Sequence, residues 1–478
     1  MISEGILFVS LIPLLILFGL FVRSWRRGFL LRTIILGATL IHELLLVVFP
    51  VCYSVFTDFE LEGNMQATVG AEDLLRVLTG ESVFVLMFAL AFVVGWPRLR
   101  PQGGRLIGAA SGHNQAMRER LVLKVLIIAG CLVYARYIIH PLSTLQIGTG
   151  LTVDQVSSWI QGLFWFTSLA ACALVLTRRK VLFTNPVQAL LAAIPLLSLL
   201  LVGLTIGLRG RFMWVISLLV ITGILNRQIK FVALGVAIGI VLVPLFAFFG
   251  GAYRSTAKDE FMTGPARREM FARVYEEGKS RVMSDLKQMG DEFLNALAFR
   301  AMGPRNSAVL YQQYDKGNGA GFTTYLGTIF FPLPKLVWPE KPLAGSTDGT
   351  LSSSAVYKVM ELGHGDNYAS YMGPILASAH AYWEGGWGWL VAAGFITGLL
   401  WNVIFNLCRR LPENMAAVVA LTFTAALLID GMLTMLAPLY ALILAWWPVL
   451  MVLVIYKGIL LLLPRKDARS PAAYINNQ

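Results

Sequence analysis

His380 and Glu384 stand one helical turn apart, at the end of an aromatic-rich segment that runs over 368–383. A second cluster, His364-Gly365-Asp366-Asn367-Tyr368, sits in a glycine-flanked loop just before it. An imidazole or a carboxylate can take the proton of an attacking hydroxyl, and an aromatic ring such as Tyr368 commonly stacks on a sugar ring. The bland reading of His364 is a hydrogen-bonded loop histidine. The His380 and Glu384 spacing would also suit two metal ligands on one helix face. No third or fourth ligand accompanies them, so no metal centre is expected.

Arginines supply the complementary chemistry. Gly207-Leu208-Arg209-Gly210-Arg211 joins two apolar runs whose far flanks are both basic, so 186–225 must enter and return as a hairpin. The returning run, 212–225, is short for a bilayer crossing, which recesses the turn below the membrane surface. Guanidinium groups make bidentate contacts to phosphate oxygens, so Arg209 and Arg211 would suit a lipid-linked phosphate or pyrophosphate. The alternative is a structural turn neutralised by Glu43 or Asp430. Arg300 and Arg305 lie farther along, followed by Lys335 and Lys341, which neighbouring prolines hold in rigid turns. Such lysines would suit an anion clamp, although surface lysines are usually solvated. His42, Glu43, Arg136 and Asp430 fall inside apolar spans, where ionisable groups are functional hypotheses by default. All lean towards one membrane face, which suggests a polar cavity opening there. Against this, Arg136 could snorkel and the acids could cap neighbouring helices.

These residues need a membrane scaffold. The 478-residue chain is 57% hydrophobic and 14% charged, with mean hydropathy +0.68, far from the balance of a soluble globule. The expected fold is an all-α polytopic integral membrane protein of about 11 transmembrane helices, forming one unit over 1–478. The apolar runs are 5–22, 29–51, 80–96, 121–140, 159–177, 186–207, 212–225, 231–250, 387–407, 414–437 and 439–462. Basic clusters follow each odd-numbered run, which places the N-terminus outside and the C-terminus in the cytoplasm. The stretch 252–386 then becomes one large outer loop between spans eight and nine, opening with an amphipathic helix over 267–299. The net charge of +12 is explained by these clusters, and no nucleic-acid partner is expected. Four cysteines, Cys52, Cys131, Cys172 and Cys408, all lie in or beside spans and suggest no disulfide framework. The first apolar run lacks a basic leader and a small-residue cleavage site, so it is read as a retained helix.

Three elements occur in a fixed order: the Arg-Gly turn, then Phe331-Pro332-Leu333-Pro334-Lys335-Leu336-Val337-Trp338-Pro339-Glu340-Lys341-Pro342, then Ser370-Tyr371-Met372-Gly373-Pro374 with Gly385-Gly386-Trp387-Gly388 entering a span. This order resembles the Wzy-type O-antigen and exopolysaccharide repeat-unit polymerases over roughly 200–400. The resemblance implies a GT-C-like fold and a glycosyltransferase that needs no metal or other cofactor. It also implies undecaprenyl-pyrophosphate-linked glycans as donor and acceptor at the outer leaflet of a bacterial inner membrane. A chain-length regulator and a flippase of the same pathway are the expected protein partners, within the lipid bilayer. Carried over, Arg209, Arg211 and Arg300 or Arg305 hold the pyrophosphate. His364 or Asp366 is the favoured base, with His380 and Glu384 behind them. Paired arginine-rich loop repeats described for some members are absent here. The alternatives are an O-antigen ligase, which uses the same donor with a lipid A-core acceptor, and a lipid-linked-glycan transporter.

Overall fold

Three helices among the described residues are long and apolar enough to cross a membrane. The computed structural model describes residues 4–27, 30–52, 69–94, 303–319, 321 and 375–408, with a few single positions besides. Every regular element there is helical. We number them α1 (Glu4–Arg26), α2 (Leu30–Glu43), α3 (Ala71–Val94), α4 (Gly303–Asp315) and α5 (Ala377–Cys408). A π-helical turn, Leu44–Val48, continues α2, and helix persists to Cys52. Phe8, Leu15 and Phe18 of α1 and Leu86, Leu90 and Val94 of α3 face outward. A band of large apolar side chains at helical spacing has hydrocarbon as its natural solvent.

The helices pack through small residues. Bilayer tails are as apolar as leucine, so association relies on close van der Waals approach rather than on expulsion of water. Gly394 and Gly398 of α5 supply it. A Cβ on Gly394 would lie 2.7 Å from the Phe84 carbonyl, and one on Gly398 2.5 Å from that of Phe88. Farther along, the Asn402 amide donates to the Ala91 and Phe92 carbonyls at 3.1 Å and accepts from Arg32 at 3.1 Å. Ascending numbers on both sides of these contacts mean that α3 and 387–408 run in the same direction. Val9 meets Ser82 while Leu17 shares a cavity with Phe84 and Phe88, and Arg32 lies over Phe92 while Glu43 shares that cavity with Glu81, so α1 runs with α3 and α2 against them. Those relative directions are the ones required if the basic clusters after spans one, three and nine share a side.

The chain inside α5 reverses. Gly385 and Gly386 leave helical geometry, with Gly386 at φ 66° and ψ −158°. Beyond them Gly394 and Gly398 ascend along α3. Before them Ser378 meets Glu81 while Tyr382 meets Arg76, a descending order. Leu376 and Ala377 consequently line the same cavity as Thr397 and Trp401. By length and composition Ala377–Val403 passes as a single crossing. Its contacts show a hairpin instead, with 377–384 antiparallel to α3 and 387–408 parallel to it.

A second partial helix lies alongside. Helix α4 spans about 20 Å at helical rise, less than a hydrocarbon core. Its Gly303 end approaches the Leu46 carbonyl and Leu376, Ser307 accepts the Leu376 amide at 2.9 Å, and Asp315 reaches Arg76. Both partial helices therefore start within the bundle and end near the Ala71 end of α3. Most of α4, from Gly303 to Tyr311, is buried without interruption, although the helix is polar on average. So two pieces of the stretch 252–386 pack between the helices, where irregular backbone is tolerated because protein surrounds it.

Candidate functional site

The 377–384 segment carries the chemistry on a short, firmly held scaffold. His380 and Leu376 close its first turn through a 3.2 Å backbone hydrogen bond. The Ser378 hydroxyl donates to the Glu81 carboxylate, as does the Ser378 backbone amide. Glu81 thus caps this helix from a neighbouring one, satisfying a donor that the helix itself leaves open.

One turn on, His380 Nδ1 lies 3.1 Å from Glu384 Oε1, with both side chains essentially inaccessible. The separation is that of an ion pair, while the angle is not that of a hydrogen bond, since Nδ1 has no aligned partner among the described residues. Beyond the Gly385–Gly386 reversal, Trp389 Nε1 donates to Glu384 Oε2 at 2.9 Å. Hence one carboxylate oxygen is fixed by an indole and the other faces an imidazole. The three side chains thus form a line of contacts from indole to carboxylate to imidazole. Nε2 of His380 makes no hydrogen bond among the described residues, and Trp383 sits edge-on to the ring at 5.9 Å.

Aromatic rings and a charge cluster close the Ala71 end. Tyr311 and Tyr382 stack at 3.9 Å and 5°, and Trp387 meets both edge-on. Room for this stack exists because position 80 is glycine, where a Cβ would overlap the Tyr311 hydroxyl. The Arg76 guanidinium contacts both carboxylate oxygens of Asp315 and the Tyr382 hydroxyl. Gln312 donates to Asp73 at 2.9 Å. These bonds fasten the end of α4 to α3.

Beside the Ala377 end, among α1, α2, α3 and α5, lies a cavity of about 50 Å³. Its walls are mainly apolar, from Leu17, Val47, Phe84, Val85 and Phe88, and its polar side chains are Thr39, Glu43, Glu81 and Thr397, with the Trp401 indole.

Of the residues singled out by sequence, the structure brings His380 and Glu384 together and buries Arg305 on α4. Glu43 faces the cavity, and His42 lies beside it on α2. His364, Asp366, Tyr368, Arg136, Arg209, Arg211, Arg300, Lys335, Lys341 and Asp430 fall outside the described residues, as do the Arg-Gly turn and 267–299 apart from Glu276. Sequence reasoning missed Glu81, Ser378 and Trp389. Glu81 was detectable as a lone carboxylate within an apolar run. Ser378 and Trp389 carry no signal until the hairpin closes. Among the described residues no group of three or more His, Cys, Asp or Glu could hold a metal ion.

The described part is thus an all-helical protein with apolar helices fit for a bilayer and a buried imidazole–carboxylate pair on a partial helix. In comparisons with known proteins, no family model, curated protein or solved structure matches the chain.

Proposed function

We propose that the protein is a glycosyltransferase that polymerises undecaprenyl-pyrophosphate-linked repeat units at the outer leaflet of a bacterial inner membrane. The reading rests on the motif order set out above, and one structural observation carries it further. Trp389, Glu384 and His380 form a chain of contacts that would orient an imidazole for proton transfer. In the reaction, an acceptor hydroxyl attacks the anomeric carbon of the donor glycan. The carbon–oxygen bond to the carrier pyrophosphate breaks, the pyrophosphate leaves with its electron pair, and His380 Nε2 takes the hydroxyl proton, which requires the acceptor to enter the bundle beside α5 because the imidazole is buried. Negative charge develops on the pyrophosphate, where fixed cations are most effective. Arg305, with Arg209, Arg211 and Arg300, is assigned that role. Glu384 is a positioning residue for His380. His364 and Asp366 stay as rival bases.

A ligase would use the same donor chemistry. The test is deletion of the gene followed by analysis of lipid-linked glycans. Accumulation of single repeat units on carrier or core supports polymerisation. Long carrier-linked chains with none on the core identify a ligase and overturn the proposal. A carrier function has one observation in its favour, namely a partial helix, 377–384, whose N-terminal end meets the buried Glu81 carboxylate within the bundle. Loss of repeat units from the outer leaflet after deletion would establish that reading instead.

A further inference from the structure

Glu43 and Glu81 take no part in the proposed transfer, yet both carboxylates are buried in the bundle, at 7% and 6% exposure. They line one cavity, shared by α1, α2, α3 and α5, together with the hydroxyl-bearing Thr39 and Thr397. Two acids facing one apolar cavity within a membrane are costly unless something positive joins them. Glu81 has its Ser378 donors. Glu43 Oε1, by contrast, is buried and has no hydrogen-bond partner among the described residues. Thr397 donates its proton to the Ala393 carbonyl at 2.6 Å, which leaves its oxygen lone pairs available. A π-helical turn follows directly after Glu43, a local widening often found at functional positions. The cavity's polar side-chain groups are therefore oxygens apart from the Trp401 indole, and its volume of about 50 Å³ suits a small hydrated ion rather than a sugar.

We propose that Glu43, Glu81, Thr39 and Thr397 form an intramembrane site for one sodium ion, bound through carboxylate and hydroxyl oxygens. Hard oxygen ligands select an alkali or alkaline-earth cation; with Glu81 already engaged by Ser378, the remaining donors fall short of the roughly six to eight oxygens that calcium takes, which favours sodium. The other ionisable side chains of the packed elements are kept apart from this function. His380 is matched with Glu384, while Arg76 is bound to Asp315 at the bundle's end. Arg305 lies on α4, and Arg32 is bonded to Asn402 towards the opposite end. An ion here would tie α2 and α3 to the start of the 377–384 helix, and so steady the segment that holds His380.

The site is tested on purified full-length protein by equilibrium binding of radioactive sodium. Saturable binding is expected, with choline unable to compete. Glu43→Gln should weaken it by at least about tenfold, since ligand charge sets affinity at such sites. Thr397→Val should weaken it less, and His380→Ala should leave it intact, which separates this site from the transfer chemistry. Each variant must run as a monodisperse species, and sodium-dependent thermal stabilisation of the wild type gives a second readout. No saturable sodium binding by folded wild-type protein would overturn the proposal, as would unchanged binding in Glu43→Gln. Labelling of Glu43 by dicyclohexylcarbodiimide that responds to pH and not to sodium would overturn it too, by identifying a proton site.

Discussion

His380 and Glu384 differ from an ordinary helical i,i+4 pair because water does not reach them. An exposed pair of this spacing contributes a few tenths of a kcal/mol and has no defined geometry. Buried and held by Trp389, it becomes a directional device. The spacing was legible in the sequence. The indole was not, because Trp389 lies beyond a chain reversal. Removing His380 as base predicts a fall in turnover of roughly 10²–10⁴-fold, the usual contribution of a positioned base. Glu384→Gln should approach that loss, whereas Trp389→Phe should slow turnover less while leaving acceptor affinity unchanged. Steady-state rates with carrier-linked substrate measure all three. Full activity in His380→Ala would transfer the base role to His364 or Asp366.

At the scale of elements, glycine decides where helices approach and where they turn. Gly386 adopts a left-handed φ, and a Cβ there would lie 2.6 Å from the Tyr314 hydroxyl. Gly80 makes room for the Tyr311 ring. Gly80→Ala should therefore destabilise the protein by about 1–3 kcal/mol, the usual penalty of overpacking. Adding Tyr311→Phe should restore much of it, since the hydroxyl is the overlapping atom. A melting series in detergent checks this, and additive losses in the double variant would contradict the stacking geometry.

Helix boundaries were legible to different degrees. Hydropathy identifies 29–51 and 387–407 almost to their observed ends, and the first span, 5–22, except for its last turn, which runs on to Arg26. It starts the third span at 80, whereas helix begins at Ala71. Glu72, Asp73 and Arg76 break the apolar window there, and they are tolerated because they cap the helix or bond to α4. Helix α4 is not legible as a buried element. Arg305, Asn306, Ser307 and Gln313 make it polar, and only partners from distant segments let it be buried. Gly385-Gly386 does signal a turn in sequence. Its consequence, two antiparallel helices in place of one, depends on contacts with α3.

Over the whole molecule, charge divides the described bundle into two ends. Arg23, Arg26, Arg27 and Arg32 gather towards the Val94 end of α3, while Glu72, Asp73 and Asp315 cluster at the other. Basic residues favour the cytoplasmic side. Single cysteines placed at Lys316 and at Arg27, in a background lacking the native thiols, should respond oppositely to a membrane-impermeant maleimide. Position 316 should label in intact spheroplasts, and position 27 only after permeabilisation. The reverse order would invert the bundle and remove the outer-leaflet site. The most direct measurement of the proposed function is reconstitution of the pure protein in liposomes with undecaprenyl-pyrophosphate-linked repeat units as the sole substrate. The expected result is a ladder of carrier-linked chains with release of undecaprenyl pyrophosphate, abolished by Arg305→Ala. Substrate that stays as single units with folded wild-type protein would contradict the account.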